Sequence, residues 1–131
     1  MNLASTPWTI EFHSGVPVYK QIIHQVQAAI ADGRLRPEDQ LPTVRALHQQ
    51  LNVNPNTVAK AYRELELAGL ITTQRGSGCF VAPSAEPPKL SARDRRAKAE
   101  QLGSRYMAEA QSHGLSIDDL IQNLTRRKSH V

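Results

Sequence analysis

The chain has 131 residues, 40% hydrophobic and 21% charged, with 16 Lys and Arg against 12 Asp and Glu for a net charge of +4. That size fits one small globular domain with an appendage and excludes two independent cores, while the mild positive balance is compatible with a polyanionic partner without demonstrating one. The single cysteine, Cys79, excludes an intrachain disulfide and a cysteine metal cluster, and with no secretion signal and no apolar run of membrane-spanning length the expectation is a soluble cytoplasmic protein.

Near the start, Trp8, Ile10 and Phe12 alternate with polar residues, which predicts a short extended segment lying against the core. Pro17 then opens a helix in which Tyr19, Ile22, Ile23, Val26, Ala29 and Ile30 form an apolar stripe ending at Asp32-Gly33. Residues 34–42 hold two prolines and read as a loop with a short strand at Gln40-Leu41. Thr43 caps a second helix whose Val44, Leu47 and Leu51 are spaced for burial, and Asn52 suits a left-handed helix end. Asn54 caps a third helix with Pro55 at its first position, Val58, Ala61, Tyr62, Leu65 and Ala68 on its apolar face, and Gly69 as its stop. Helices joined by Leu51-Asn52-Val53-Asn54 have almost no slack and must cross steeply, which is a helix-turn-helix. Residues 70–74 and 78–82 are β-prone runs around Arg75-Gly76-Ser77 and predict a hairpin. The expected fold is mainly α with a small β-hairpin wing: a winged helix-turn-helix over residues 1–82.

Residues 83–90 are Pro-rich and are taken as a linker. A helix then runs over about 91–113 by pattern, with Ser91 and Asp94 as a capping pair, Ala99, Leu102, Tyr106 and Ala110 on one stripe, and Gly103 beside them permitting close approach. Gly114 stops it. In a last helix Ser116 and Asp119 can cap reciprocally, and Ile117, Leu120, Ile121 and Leu124 are the expected buried face. This pair, residues 91–131, is too small to hold its own core, so it either folds back or meets the same pair of a second chain; the Pro-rich spacer favours a homodimer through Leu102, Gly103, Tyr106, Ala110, Leu120, Ile121 and Leu124.

On the polar side of the third helix, Asn56, Thr57 and Lys60 would project from the electropositive end, where short hydrogen-bonding side chains can read base edges and grip phosphates. Taken alone, this segment favours an ordinary solvated helix start, since most capped amphipathic helices bind no nucleic acid. Residues 1–82 are near neutral, and most of the positive excess lies in Arg93, Arg95, Arg96, Lys98 and the 126–128 run; a solvated surface is the reading for most of these, with phosphate contact the alternative. The five histidines lack metal-ligand spacing, no phosphate loop or nucleophile motif occurs, and neither a cofactor, a metal nor enzyme activity is expected.

Leu41-Pro42-Thr43-Val44-Arg45, Val53-Asn54-Pro55-Asn56-Thr57-Val58, Lys60-Ala61-Tyr62-Arg63-Glu64-Leu65-Glu66 and Arg75-Gly76-Ser77-Gly78-Cys79-Phe80-Val81 together resemble the GntR family of bacterial transcription regulators. The short chain, Pro17-Val18-Tyr19-Lys20-Gln21-Ile22 and Gly114-Leu115-Ser116 are similar to its YtrA subfamily. The resemblance implies a sequence-specific regulator, expected to be a repressor, that binds a palindromic double-stranded DNA operator as a dimer. Carried over by position, Arg45 would contact a phosphate or guanine, Asn54, Asn56 and Thr57 the backbone and base edges, and Gly76 and Gly78 would let the wing approach the minor groove. Thr43, Pro55 and Ser77 complete the candidate DNA surface, with Lys60 and Arg75 added for reach and charge. Val44 stands where the wider family has an acid, Pro55 and Ala59 replace arginines, Glu38 replaces a turn glycine and Cys79 a threonine, so the family's operator preference does not transfer. The alternative function is a winged helix serving protein interaction or non-specific nucleic-acid binding; an effector is left unassigned.

Overall fold

The computed structural model describes residues 8–86 and 89–128, so residues 1–7 of the predicted DNA-binding domain, Pro87-Pro88 of the predicted linker and residues 129–131 of the predicted dimerisation segment lie outside the described part. The elements run α1 (Val18–Ala31), β1 (Gln40–Leu41), α2 (Val44–Leu51), α3 (Pro55–Leu67), β2 (Ile71–Gln74), β3 (Gly78–Val81), α4 (Ala92–Ser112) and α5 (Ile117–Lys128). The chain divides into two compact units, residues 1–88 and 89–131.

In the first unit, three helices close on one apolar core because each offers its stripe to the same point. Ile22, Val26, Ala29 and Ile30 come from α1, Leu47 from α2, and Val58, Ala61, Tyr62 and Leu65 from α3. A three-stranded antiparallel sheet in the order β1-β3-β2 covers the rest with Leu41, Ile71, Cys79 and Val81. Its register sets Leu41 opposite Cys79 and Ile71 opposite Val81, so the inward residues of neighbouring strands meet on one face. Complete burial of a Leu, Ile or Val contributes about 1.5–3 kcal/mol, and Ile22, Val26, Leu47 and Val58 are all at 0% exposure. The core does not stop at the end of the wing: Ala85, placed in the linker by composition, is buried with Ala82, and its N–H donates to the Ala82 carbonyl at 3.0 Å.

The described residues before α1 take no strand pairing, yet they are held as if they did. Gln25 exchanges both amide groups with the backbone of Thr9, and Gln21 does the same with Glu11, the Glu11 N–H donating to Gln21 Oε1 at 2.9 Å. Two glutamines one helical turn apart thereby imitate the alternate-residue pairing of a neighbouring strand. Trp8 and Ile10 pack against the core while Phe12 points outward at 60% exposure, so the alternation extends to two of its three residues.

The residues joining α1 to β1 turn at Pro37-Glu38. Glu38 has φ 72°, a left-handed conformation that costs a residue bearing Cβ, and the Asp39 N–H donates to the Arg36 carbonyl at 3.1 Å. Proline followed by a positive φ is the pattern of a type II turn, where glycine is at ease. Glu38 is held there by its N–H donating to Val81 at 2.9 Å and by Val81 donating back to Asp39 at 2.8 Å. Glu38→Gly is expected to raise stability by about 0.5–1 kcal/mol in urea titration; a loss would show that the turn is not strained.

Tyr62 joins α3 to the start of α2. Its hydroxyl donates to the Pro42 carbonyl at 2.6 Å from a ring only 5% exposed. Burial first, and the nearby Cys79 second, hold the phenol far above its ordinary value of 10.0, and burial also raises the Cys79 thiol from 9.0. An unfolded chain releases these protons near those ordinary values while the folded chain keeps them. Stability is therefore expected to fall as pH rises above about 9–10, with Tyr62 adding about 1.4 kcal/mol per pH unit. In denaturant titrations across that range Tyr62→Phe should be less stable at neutral pH but lose less with alkali; an equally steep loss would contradict the assignment.

Candidate nucleic-acid interface

Backbone geometry at the α2–α3 connection decides which polar groups remain available. The Ala46 N–H donates to Thr43 Oγ1 at 3.0 Å, capping α2, and Asn52 ends that helix at φ 58°. The Asn56 N–H donates to Asn54 Oδ1 at 2.8 Å, and Pro55 fills the first position of α3. Thr43 and Asn54 thus have side-chain oxygens already used as caps, and Pro55 has no N–H to give. Thr57 is half-buried, whereas Asn56 is exposed on the first turn.

With Val58, Ala61, Tyr62 and Leu65 in the core, the opposite face of α3 is fixed outward. Asn56, Ala59, Lys60, Arg63, Glu64 and Leu67 line one shallow groove along it. Lys60 extends its Nζ to 4.1 Å from the Tyr19 ring centre, a cation–π contact that retains the positive charge at the surface while directing it toward α1. Arg63 also borders a second groove, whose walls include Thr43 and Val44 of the α2 start and Gly78 and Cys79 of β3. Sequence reasoning passed over Arg63, although its spacing from Asn56, seven residues or two helical turns, carried the signal. Leu67, at 82% exposure, was missed as well.

The wing is tied to α3 rather than hanging from it, since Thr73 donates to Glu66 Oε2 at 3.2 Å. Its tip turns through Arg75, Gly76 and Ser77, the Ser77 N–H donating to Gln74 at 3.0 Å, with Gly76 at φ 82°. Gly78 combines φ 113° with a close neighbour: a Cβ there would lie 3.3 Å from Gln40 Nε2. The positive φ favours glycine at that point, and a Cβ would also oblige the Gln40 amide to shift by a few tenths of an ångström. Arg45, Arg63 and Arg75 are exposed, and none closes an ion pair among the described residues. Three uncompensated guanidinium groups on α2, α3 and the wing therefore accompany Asn56. Cys79 is buried behind them with its thiol shifted up, which keeps the reactive thiolate scarce at neutral pH. Tyr62, whose hydroxyl is committed to Pro42, has no free proton to offer a phosphate.

In the second unit the caps form as the sequence predicts: the Asp94 N–H donates to Ser91 Oγ at 3.1 Å, and Ser116 and Asp119 cap one another through the Ser116 N–H at 2.8 Å and the Asp119 N–H at 3.2 Å. The Ser116 N–H first, and the Ser116 hydroxyl second, donate to the Asp119 carboxylate and lower it below its ordinary range. The expected buried face of α5 is not buried in the single chain. Ile121 is 51% and Leu124 62% exposed, and Leu120 is half-buried, because two packed helices cannot enclose the apolar stripe of either. Leu102 and Tyr106 on α4 are exposed at 40% and 53%, and space is open around Gly103. Ala110 differs: it is buried already, and its carbonyl accepts the Leu115 N–H at 2.9 Å.

Comparison with known proteins agrees with this geometry. The family model described as bacterial regulatory proteins, gntR family, matches residues 18–81, the span from α1 through β3. The chain is 44% identical to the HTH-type transcriptional repressor YtrA of Bacillus subtilis over 77 residues, 59% of this chain and 59% of that protein's length, so the match takes in somewhat over half of that relative. It is 37% identical to the HTH-type transcriptional regulator Rv1152 of Mycobacterium tuberculosis over 116 residues, 88% of this chain and 89% of that one. Among solved structures, YtrA from Sulfolobus acidocaldarius, a GntR-family transcription factor, superposes with a TM-score of 0.52 at 32% identity, covering 94% of this chain and 97% of the other. With a winged helix-turn-helix, these matches and their coverage, the chain belongs to the GntR family of transcriptional regulators and carries its DNA-binding domain.

Proposed function

We propose that the chain is a cytoplasmic repressor that binds a palindromic DNA operator as a homodimer and acts by occupancy, without catalysis. The observation that carries this reading is the two-sided α3: its apolar back is locked in the core while the Asn56 and Arg63 side chains are held outward with no partner among the described residues. Asn56 suits an adenine edge in the major groove, and Arg45 and Arg75 suit phosphates on either side of it. Gly76 and Gly78 suit a wing tip passing close to the sugar-phosphate backbone. Thr43 and Asn54 support the site by fixing the two helix starts. Thr57, Lys60 and Ser77 complete the surface.

Residues 1–82 are assigned the DNA contact, 83–90 the connection and 91–131 the pairing of two chains. Dimerisation is supported by the uncovered stripe of Leu102, Tyr106, Ile121 and Leu124, which a second copy would remove from water. Gly103 gives that approach room. The name of the Bacillus subtilis relative is the support for repression rather than activation.

Selection of bound duplexes from a random pool tests the proposal. The expected product is an inverted repeat whose half-sites lie about 34–36 Å apart, or a multiple of it, bound by a dimer. Asn56→Ala should flatten the preference at one position in each half-site, by about 1–3 kcal/mol, whereas Arg45→Ala should weaken all sequences alike. Ile121→Asp with Leu124→Asp should yield monomers that bind the operator weakly. Recovery of no preferred sequence would instead leave a general nucleic-acid or protein-binding module.

A further inference from the structure

We propose that the first two turns of α4 form a second DNA contact, a cationic band that grips the phosphate backbone beyond the half-site. This rests on the DNA-binding reading above and adds a surface to it. Charge is divided unevenly along the chain: residues 1–88 hold seven basic and seven acidic side chains, and residues 89–131 hold nine and five. The unit that carries α3 and the wing is thus neutral, and the whole excess belongs to the other one. Within it, Arg93, Arg95, Arg96 and Lys98 fall in seven consecutive residues at the start of α4, all exposed, and none closes an ion pair among the described residues.

Local helix stability does not account for that placement. The amino end of a helix is its positive end, where cations are repelled and carboxylates favoured. The neighbouring helix α5 follows the rule, with Asp118 and Asp119 in its first turn and Arg126, Arg127 and Lys128 in its last. Helix α4 inverts it: Asp94 is the lone acid of its first turn, and its last turn has no basic residue at all. Packing does not account for it either. Over residues 92–99 the non-polar side chains are alanines alone, and the apolar stripe assigned to dimerisation begins only at Leu102. The band therefore lies on the helix ahead of that stripe, with its cations free. Arg93 and Arg96 share one groove with Ala92, Ala97 and Glu100, and helical spacing puts Arg95 and Lys98 on the other side of the helix, so the cations ring its first two turns.

Duplex DNA fits this band because its phosphates repeat at regular spacing along a continuous track and require no shaped pocket. Chain connectivity favours the same DNA molecule. Five residues separate buried Ala85 from the Ser91 cap, a tether of about 20 Å at full extension, so a chain engaged through α3 keeps the band close to the flanking phosphates.

The test uses the full-length chain carrying Arg93→Gln, Arg95→Gln, Arg96→Gln and Lys98→Gln. Affinity is measured against potassium chloride concentration on a duplex that ends at the half-sites and on one extended by about one helical turn at each end. Wild type is expected to bind the extended duplex at least about tenfold more tightly at 0.1 M salt, and the variant to lose that gain. Its log–log salt slope should be shallower by about 2 or more per dimer, at roughly 0.9 per phosphate contact. Base preference, dimer mass and helical circular dichroism should be unchanged, and a charge-preserving variant carrying Arg93→Lys, Arg95→Lys and Arg96→Lys should retain the slope. A variant with the wild-type slope and the wild-type gain from added length would overturn the proposal. The same slope comparison on random duplex judges the band even if no operator is selected, which separates its failure from failure of the regulator reading.

Discussion

Burial of one face of α3 is the constraint on which everything else depends. Val58, Ala61, Tyr62 and Leu65 cannot leave the core without exposing a continuous apolar surface, so the rotation of the helix about its axis is fixed. Tyr62 fixes its position along the axis as well, through the bond from its hydroxyl to Pro42 ahead of α2. Once both are set, Asn56 and Arg63 have only solvent or a partner to meet. On the proposed function, the geometry of recognition is thus a by-product of packing on the opposite side of the same helix.

The wing follows from the same economy. A short sheet completes the core with Leu41, Ile71, Cys79 and Val81 and also leaves the tip residues Arg75 to Ser77 projecting beyond it. Thr73 and Glu66 tie this projection to α3, so helix and hairpin present one surface. Glu38 is where the arrangement conflicts with local preference. Its left-handed backbone is held by the exchange of hydrogen bonds between residues 38–39 and Val81, strain tolerated because the sheet over-determines the turn.

Much of this could be read from residue order. Asn54-Pro55 names the start of α3, Asn52 and Gly69 name helix ends, and glycines at 76 and 78 place the wing turn, because each is the residue type whose backbone freedom or side-chain length the position demands. What escaped reading depends on partners distant in the chain. Nothing local shows that Gln21 and Gln25 will take the backbone of Glu11 and Thr9, since the pattern on α1 says only that they avoid the apolar stripe. Ala85 looked like linker because composition does not reveal that the core has room for one more methyl. Arg63 was legible by helical spacing but was hidden among charged neighbours. For α5 the periodicity was right, and the face it marks is uncovered in the single chain because amphipathicity identifies a face to be covered without supplying the cover.

On the proposed function, joining an electroneutral unit to a basic helical one would separate two tasks, discrimination by short polar side chains and long-range attraction by charge. The central claim, that the outward turns of α3 enter the major groove, is tested most directly by methylating guanine N7 of a bound operator and asking which modified duplexes are still retained. The account predicts that N7 methylation within each half-site excludes the duplex from the bound fraction. Retention of every N7-methylated duplex, with loss only on minor-groove modification of adenine N3, would contradict it.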